Sequence, residues 1–367
     1  MALFSHLNTL LGQTSPGAPL VAAETALGGT HLSWLYAGFI AIVLVFLAID
    51  LGIFNRTAHV VKAKEALAWT IVWATCALAF AVFVYFAYQG HWLGLGLKVP
   101  VVGQPGVTET IRGSAAVEQF LAGYIVEWSL SVDNLFVIAV IFKFFAVPAA
   151  QQHRVLFWGI LGALVMRGGM IAIGAVLLAK FSWITYVFGG FLILTAVKMA
   201  LAADEHVHPE NNILVKWVKK IWPVSTEYDG SHFITHIPGK DGVMRRAVTP
   251  LLLALIVVEF TDVLFAVDSV PAIFSITGDP FIVLTSNVFA ILGLRSLYFL
   301  LAGMLGKFKF LKHALVLILA LVGVKMLLVH SSYKIDTTWS LIGVICLLGA
   351  GVGASLLHER MTRAKNT

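Results

Sequence analysis

Residues 258–274 read VEFTDVLFAVDSVPAIF. This stretch decides the fold class, because Glu259, Asp262 and Asp268 sit inside an apolar run of the length that crosses a bilayer. An ionised carboxylate at that depth is expensive unless something binds it. A shorter counterpart lies upstream at 125–136, IVEWSLSVDNLF, where Glu127 and Asp133 repeat the six-residue separation of Asp262 and Asp268. Whatever the protein does is expected to happen between these two segments.

Working outward, the whole chain shares this apolar character. Its 367 residues are 59% hydrophobic and 12% charged, with a mean hydropathy of +0.90. That excludes a soluble globular domain and predicts an all-α, polytopic membrane protein. Nine transmembrane helices are expected, at about 32–54, 66–89, 116–142, 155–178, 182–203, 249–274, 281–304, 310–330 and 338–357. The first residues carry no basic n-region, so no cleaved signal peptide is read there. Placing successive loops on alternate sides puts 17 Lys and Arg residues on one side and 4 on the other, with four more inside spans. By the positive-inside bias the N-terminus is outside and the C-terminus cytoplasmic, in a cell inner (plasma) membrane. The net charge of +6 is then mostly topology, and no nucleic-acid partner is expected. Cys76 and Cys346 stand singly in different spans, which proposes neither a disulfide framework nor a thiolate metal site.

Three landmarks recur in order along the chain: an acidic pair, an intramembrane arginine and the tripeptide Val-Lys-Met. They are Asp133, Arg167 and residues 197–199, then Asp268, Arg295 and residues 324–326, at offsets of 135, 128 and 127. Each unit has three spans, an odd number, so the second must enter the membrane from the opposite side. Two inverted three-helix repeats follow, an arrangement that places a transporter's site near the midplane between them. The organisation expected is an outer N-terminus (1–31), two spans with an outer loop (32–114), repeat 1 (115–203), a cytoplasmic linker (204–248), repeat 2 (249–330), a ninth span (331–357) and a cytoplasmic tail (358–367). The linker carries His206, His208, His232 and His236, read as ordinary loop histidines rather than ligands. Asp50, one turn from a span end, is expected to reach the interface or pair with a base, with an entry-site ligand as the other reading.

On a helix, Glu259 and Asp262 share a face, as do Asp262 and Ser269; Glu127 and Asn134 have the latter spacing. Asp268 is nine residues from Glu259, about 180° round a continuous helix, so either it serves another purpose or the helix breaks. Pro271 argues for a break, because the carbonyl of Val267 loses its amide partner. The candidate metal donors are Glu127, Asp133, Asn134, Glu259, Asp262, Asp268 and Ser269, all oxygen. Such sets suit Mg²⁺, Ca²⁺ or Mn²⁺, whereas copper or zinc would call for Cys, His or Met. Five carboxylates exceed what one divalent ion neutralises, so some are expected to be protonated or paired with Arg167 and Arg295. Shared, desolvated carboxylates hold protons, which would let protons exchange for metal. Lys198 and Lys325, close to span ends, are expected to snorkel.

At these residues the chain resembles the TerC/Alx family of bacterial and plastid membrane proteins. The resemblance rests on VEWSLSVDNLFV at 126–137, VEFTDVLFAVDSVPAIF at 258–274 and FLAIDLGIF at 46–54, and it runs from about 32 to 357. It implies a nine-span fold of the LysE-like transporter type and, for the metal-exporting members, efflux of Mn²⁺ through acidic positions that match Glu127, Asp133, Glu259, Asp262 and Asp268. The family is also tied to tellurite resistance, to metal loading of exported enzymes and to thylakoid biogenesis. The reading is therefore a Mn²⁺ exporter coupled to protons, with metal and protons as substrates, the bilayer as surroundings and no tightly bound cofactor. A Ca²⁺/H⁺ exchanger differs only in selectivity. A membrane scaffold or assembly factor with structural carboxylates is the rival from another class. No nucleophile and base pair, phosphate-cradling glycine loop or zinc motif points to an enzyme.

Overall fold

The computed structural model describes residues 30–49, 63–104, 106–201, 217–218, 220–238, 243–302, 310–329, 331 and 333–365. Among the described residues run nine long helices: α1 (Thr30–Ile49), α2 (Ala63–Gln89), α3 (Gly113–Phe144), α4 (Ala149–Lys180), α5 (Ile184–Leu201), α6 (Pro250–Phe274), α7 (Pro280–Ala302), α8 (Leu311–Leu327) and α9 (Thr337–Lys365). Seven of them are long and apolar enough to cross a membrane; α1 is apolar over a shorter stretch and α8 has 17 residues. Strand is confined to two antiparallel ribbons, β1 (Val99–Pro100) with β2 (Thr108–Glu109) and β3 (Ile234–Pro238) with β4 (Met244–Val248). The protein is thus a polytopic all-α membrane protein, as its composition predicts. Helices satisfy their own backbone groups, which is why this architecture suits lipid.

The helices are not equally enclosed. In α7, 89% of the most apolar window is buried, against 22% in α2 and 17% in α9, so α7 is the inner post and α2 and α9 lie on the perimeter. Exposed Ile71, Leu78 and Val82 on α2 and Ile342 and Ile345 on α9 present the apolar surface expected toward lipid. Inside, Phe80 of α2 stacks against Phe289 of α7 with ring centroids 4.8 Å apart, and Phe120 of α3 joins them. Among the six helices α3–α8, the principal pairs are α5 with α8, α3 with α7, α4 with α6, α4 with α7 and α3 with α6, while α2 packs on α3 and α7 and α9 on α8. Exchanging α3 with α6, α4 with α7 and α5 with α8 leaves that set unchanged. Where α5 crosses α8, Gly189 and Gly323 face each other, and a Cβ on either would stand 3.1 Å from the other's carbonyl oxygen. Only small residues permit such an approach.

The stretch 258–274 forms the second half of α6, and its helix is continuous through Pro271 to Phe274, not broken as the proline suggested. Pro271 lies in the last turn, so the one bond it removes, to the Val267 carbonyl, leaves only three residues of helix beyond it; Ser275 then caps the end, its amide donating to the Pro271 carbonyl at 3.1 Å. At the start of α6, Thr249 is the N-cap and Pro250 the first residue, an arrangement that fits an unpartnered first turn.

Both long connections are partly folded. In the linker, β3 and β4 pair from Ile234↔Val248 to Pro238↔Met244, and this ribbon is tied to the bundle. Thr249 donates to the carbonyls of His232 and Phe233, Tyr228 donates to the Phe145 carbonyl at 2.6 Å, and Arg154 of α4 lies 5.0 Å over the Phe233 ring. His232 and His236 belong to this segment, whereas Asp50, His206 and His208 lie outside the described residues. At the other end of the bundle, the loop at 90–112 carries β1 and β2 and packs on the turn before α7. There Asp279 caps α7, accepting from the amide of Phe281 at 2.9 Å and from the Tyr88 hydroxyl at 2.8 Å.

Candidate intramembrane carboxylate site

Four helices meet at one guanidinium. Arg167, on α4, is 1% exposed, and its donors reach α3, α6 and α7. Nη2 and Nε donate to the two oxygens of Asp262 at 3.0 and 3.3 Å, the bidentate geometry that makes arginine–carboxylate pairs strong. Nη1 donates to Oε1 of Glu127, to Ser269 Oγ at 3.2 Å and to Asn287 Oδ1 at 3.3 Å. Glu127 is fully buried on α3, and its Oε1 accepts a further bond from Ser131 at 3.1 Å. Its other oxygen, Oε2, is buried with no hydrogen-bond partner among the described residues. An acceptor left so is costly and asks for a donor or a cation.

Glu259 lies one turn before Asp262 on α6, and its carboxylate rests on Gly162 of α4, where a Cβ would overlap it. The glycine is what lets this carboxylate enter between the helices. Asp268 is elsewhere. It faces α5, where Thr195 donates to its Oδ1 at 3.0 Å, and it lines a cavity of about 210 Å³ together with Asn134, Ser269 and Lys198. That volume has room for several waters. Because α6 does not break, Asp268 occupies a different face from Glu259 and Asp262; Ser269, bonded to Arg167 and lining the cavity, stands between the two.

Of the seven donors read from sequence, Glu127, Asp262 and Ser269 are thus drawn together by Arg167, Glu259 adjoins Asp262, and Asn134 and Asp268 line the neighbouring cavity. The side chain of Asp133 on α3 lies outside the described residues. Among the described residues no three His, Cys, Asp or Glu side chains converge as a metal sphere, and the cation between Glu127 and Asp262 is Arg167 itself. Sequence reasoning missed Asn287 and Thr195. Asn287 had a signal, since Thr285, Ser286 and Asn287 form a polar run within a buried span, whereas Thr195, one of two threonines on α5, had none. Lys325, expected to snorkel, is instead buried, with Nζ 3.3 Å from Thr337 Oγ1.

Residues 113–366 match the family of integral membrane TerC proteins, more than half of the chain and all of the helices that build the site. The chain belongs to the TerC family. Among its relatives is an uncharacterized membrane protein of Myxococcus xanthus, 47% identical over 89% of this chain and 93% of the relative. A proposed membrane-bound redox modulator of Escherichia coli, Alx, is 45% identical over 82% of this chain and 87% of its own length. An uncharacterized membrane protein of Rickettsia bellii is 34% identical over 90% of this chain and 99% of the relative. No solved structure matches this TerC-family chain.

Proposed function

We propose that this TerC-family protein is a transporter that exports a divalent hard cation, Mn²⁺ first, in exchange for protons. The observation that carries the reading is Glu127: a carboxylate wholly buried within the bundle, one oxygen bonded and the other without a donor. Intramembrane carboxylates of this kind mark ion pathways. The candidate donors are all oxygen, from Glu127, Asn134, Glu259, Asp262, Asp268 and Ser269, with Asp133 added from the sequence alone, and oxygen sets favour Mn²⁺, Mg²⁺ or Ca²⁺. The same carboxylates would carry protons on the return. Ca²⁺ in place of Mn²⁺ changes the cargo and leaves the mechanism.

In this reading α3–α5 and α6–α8 are two inverted repeats, supported by the exchange symmetry of their packing and by the recurring sequence landmarks. Rocking one against the other would expose the site to each side in turn. The basic loops and tail support a cytoplasmic C-terminus in a cell's inner membrane. The relative Alx is named for redox modulation; here the two cysteines are both free, on α2 and α9, and no thiol pair supports a disulfide-based version of that role.

The test is Mn²⁺ flux into proteoliposomes under an imposed pH gradient, comparing the wild type with Glu127→Gln and Asp268→Asn. Gradient-driven flux in the wild type, lost in both variants, is the expected result. A folded wild type that moves neither Mn²⁺ nor Ca²⁺ nor Mg²⁺ overturns the transporter reading in favour of a scaffold.

A further inference from the structure

We propose that Arg167 is the tethered counter-cation of this site: it holds the Glu127–Asp262 pair while metal is absent, is displaced when metal binds, and returns to drive metal off. The inference rests on the transporter reading above and says what regulates that same site.

The geometry sets the two cations in competition. Both oxygens of Asp262 and one oxygen of Glu127 are engaged by Arg167, so a metal ion drawn to these carboxylates meets a positive charge already seated on them, and the repulsion favours departure of the guanidinium. Among the described residues the ion pairs to Glu127 and Asp262 both come from Arg167, with Arg295 lining a second cavity beside Asp262; Ser131, Ser269 and Asn287 contribute dipoles, not charge. Stripping a buried carboxylate of its cation is strongly unfavourable, so the metal-free carrier needs a resident charge to cross back through the membrane. A proton could serve, but its presence depends on pH. Arginine does not deprotonate in proteins, which makes this resident charge constant. The wider binding area also gives the guanidinium somewhere to go. Glu259 lies one turn before Asp262 on the same face of α6 and rests against α4 at Gly162. A guanidinium released from Asp262 would find a second carboxylate one turn along α6.

If Arg167 competes with metal, removing its charge must tighten binding and slow release together. A residue that only braces four helices would lower turnover without improving affinity. The experiment uses purified full-length protein and measures equilibrium MnCl₂ binding by calorimetry alongside KM and kcat for Mn²⁺ flux in proteoliposomes. For Arg167→Gln the expected result is a Kd and KM lowered by roughly tenfold or more, the scale on which an uncompensated buried charge acts, with kcat falling by a similar factor. Arg167→Lys keeps the charge but loses the fork, and should shift both quantities the same way by less. Should Arg167→Gln not accumulate, the lysine variant carries the test. Folded variants that bind Mn²⁺ no more tightly than the wild type, while kcat falls, overturn the proposal and leave the transporter reading intact. A wild type that neither binds nor moves divalent cations refutes that reading, and this inference with it.

Discussion

Asp262 and Asp268 stand six residues apart on one helix, both in apolar surroundings, and the fold treats them oppositely. Asp262 is clamped by a bidentate arginine that also reaches Glu127, Ser269 and Asn287, so its charge is compensated and its position held from four helices. Asp268 has a threonine hydroxyl and a cavity of about 210 Å³ that it shares with Lys198, with no ion pair between them within 4 Å among the described residues. One environment is built to keep a charge in place, the other to leave it available. Under the transporter proposal this contrast corresponds to a division of work, the clamped pair setting the affinity and Asp268 passing metal or proton in or out.

The sharpest way to break this comparison is at the clamp. Arg167→Gln should cost the metal-free protein about 3–5 kcal/mol, as removing one partner of a buried ion pair does, and Mn²⁺ should restore much of the loss in a thermal unfolding assay. Equal losses with and without Mn²⁺ would mean that metal and arginine do not share a seat. Asp268→Asn should behave in the opposite sense. Its amide still accepts from Thr195, so stability should change by less than about 1 kcal/mol, while flux should fall to background. An unfolded Asp268→Asn, or one with normal flux, removes the distinction between the two sites.

Smaller effects sharpen the picture. Thr195→Val deletes the hydroxyl that donates to Asp268 and should cost about 1 kcal/mol, with a reduction in flux that Thr195→Ser largely rescues. Gly162→Ala pushes on the end of a flexible side chain, so stability should hardly move, yet the Glu259 carboxylate must leave its place and Mn²⁺ affinity should drop. An unchanged affinity would take Glu259 out of the site. The smallest effect concerns a third carboxylate, Asp279, at the entrance to α7. Burial pushes its carboxyl above the ordinary value, against the Tyr88 hydroxyl and the Phe281 and Ile282 amides. The folded protein therefore holds this proton more tightly than the unfolded chain. Its contribution to stability is present below the ordinary carboxylate value, near pH 4, and is lost as pH rises through the raised one. Asp279→Asn should flatten that part of the melting-temperature profile, and an unaltered profile would show that another group is responsible.

Much of this was legible beforehand for a physical reason. Length and apolarity specify helices in lipid with little help from tertiary context, so the described helices fall close to where hydropathy puts them, seven of them long and apolar enough to cross a membrane. Carboxylates in such helices are conspicuous because they are expensive. Less legible was how the carboxylates divide. Helical angles put Asp268 opposite Glu259, but Pro271 argued for a break that would have reunited them; its place in the final turn settled the matter. Lys325 looked like an interfacial lysine from its distance to the span end, and is buried because α9 covers it with Thr337.

The amino-acid sequence by itself determined that this is a polytopic helical membrane protein of the TerC family with carboxylates at depth, since hydropathy and charge are properties of each segment alone. Only the tertiary structure decided that Arg167 fills the space between Glu127 and Asp262, that Asn287 and Thr195 belong to the site, and that Asp268 stands apart from the clamp. Those facts depend on which faces of α3, α4, α5, α6 and α7 meet, and packing between distant segments has no signature in the periodicity of any one of them.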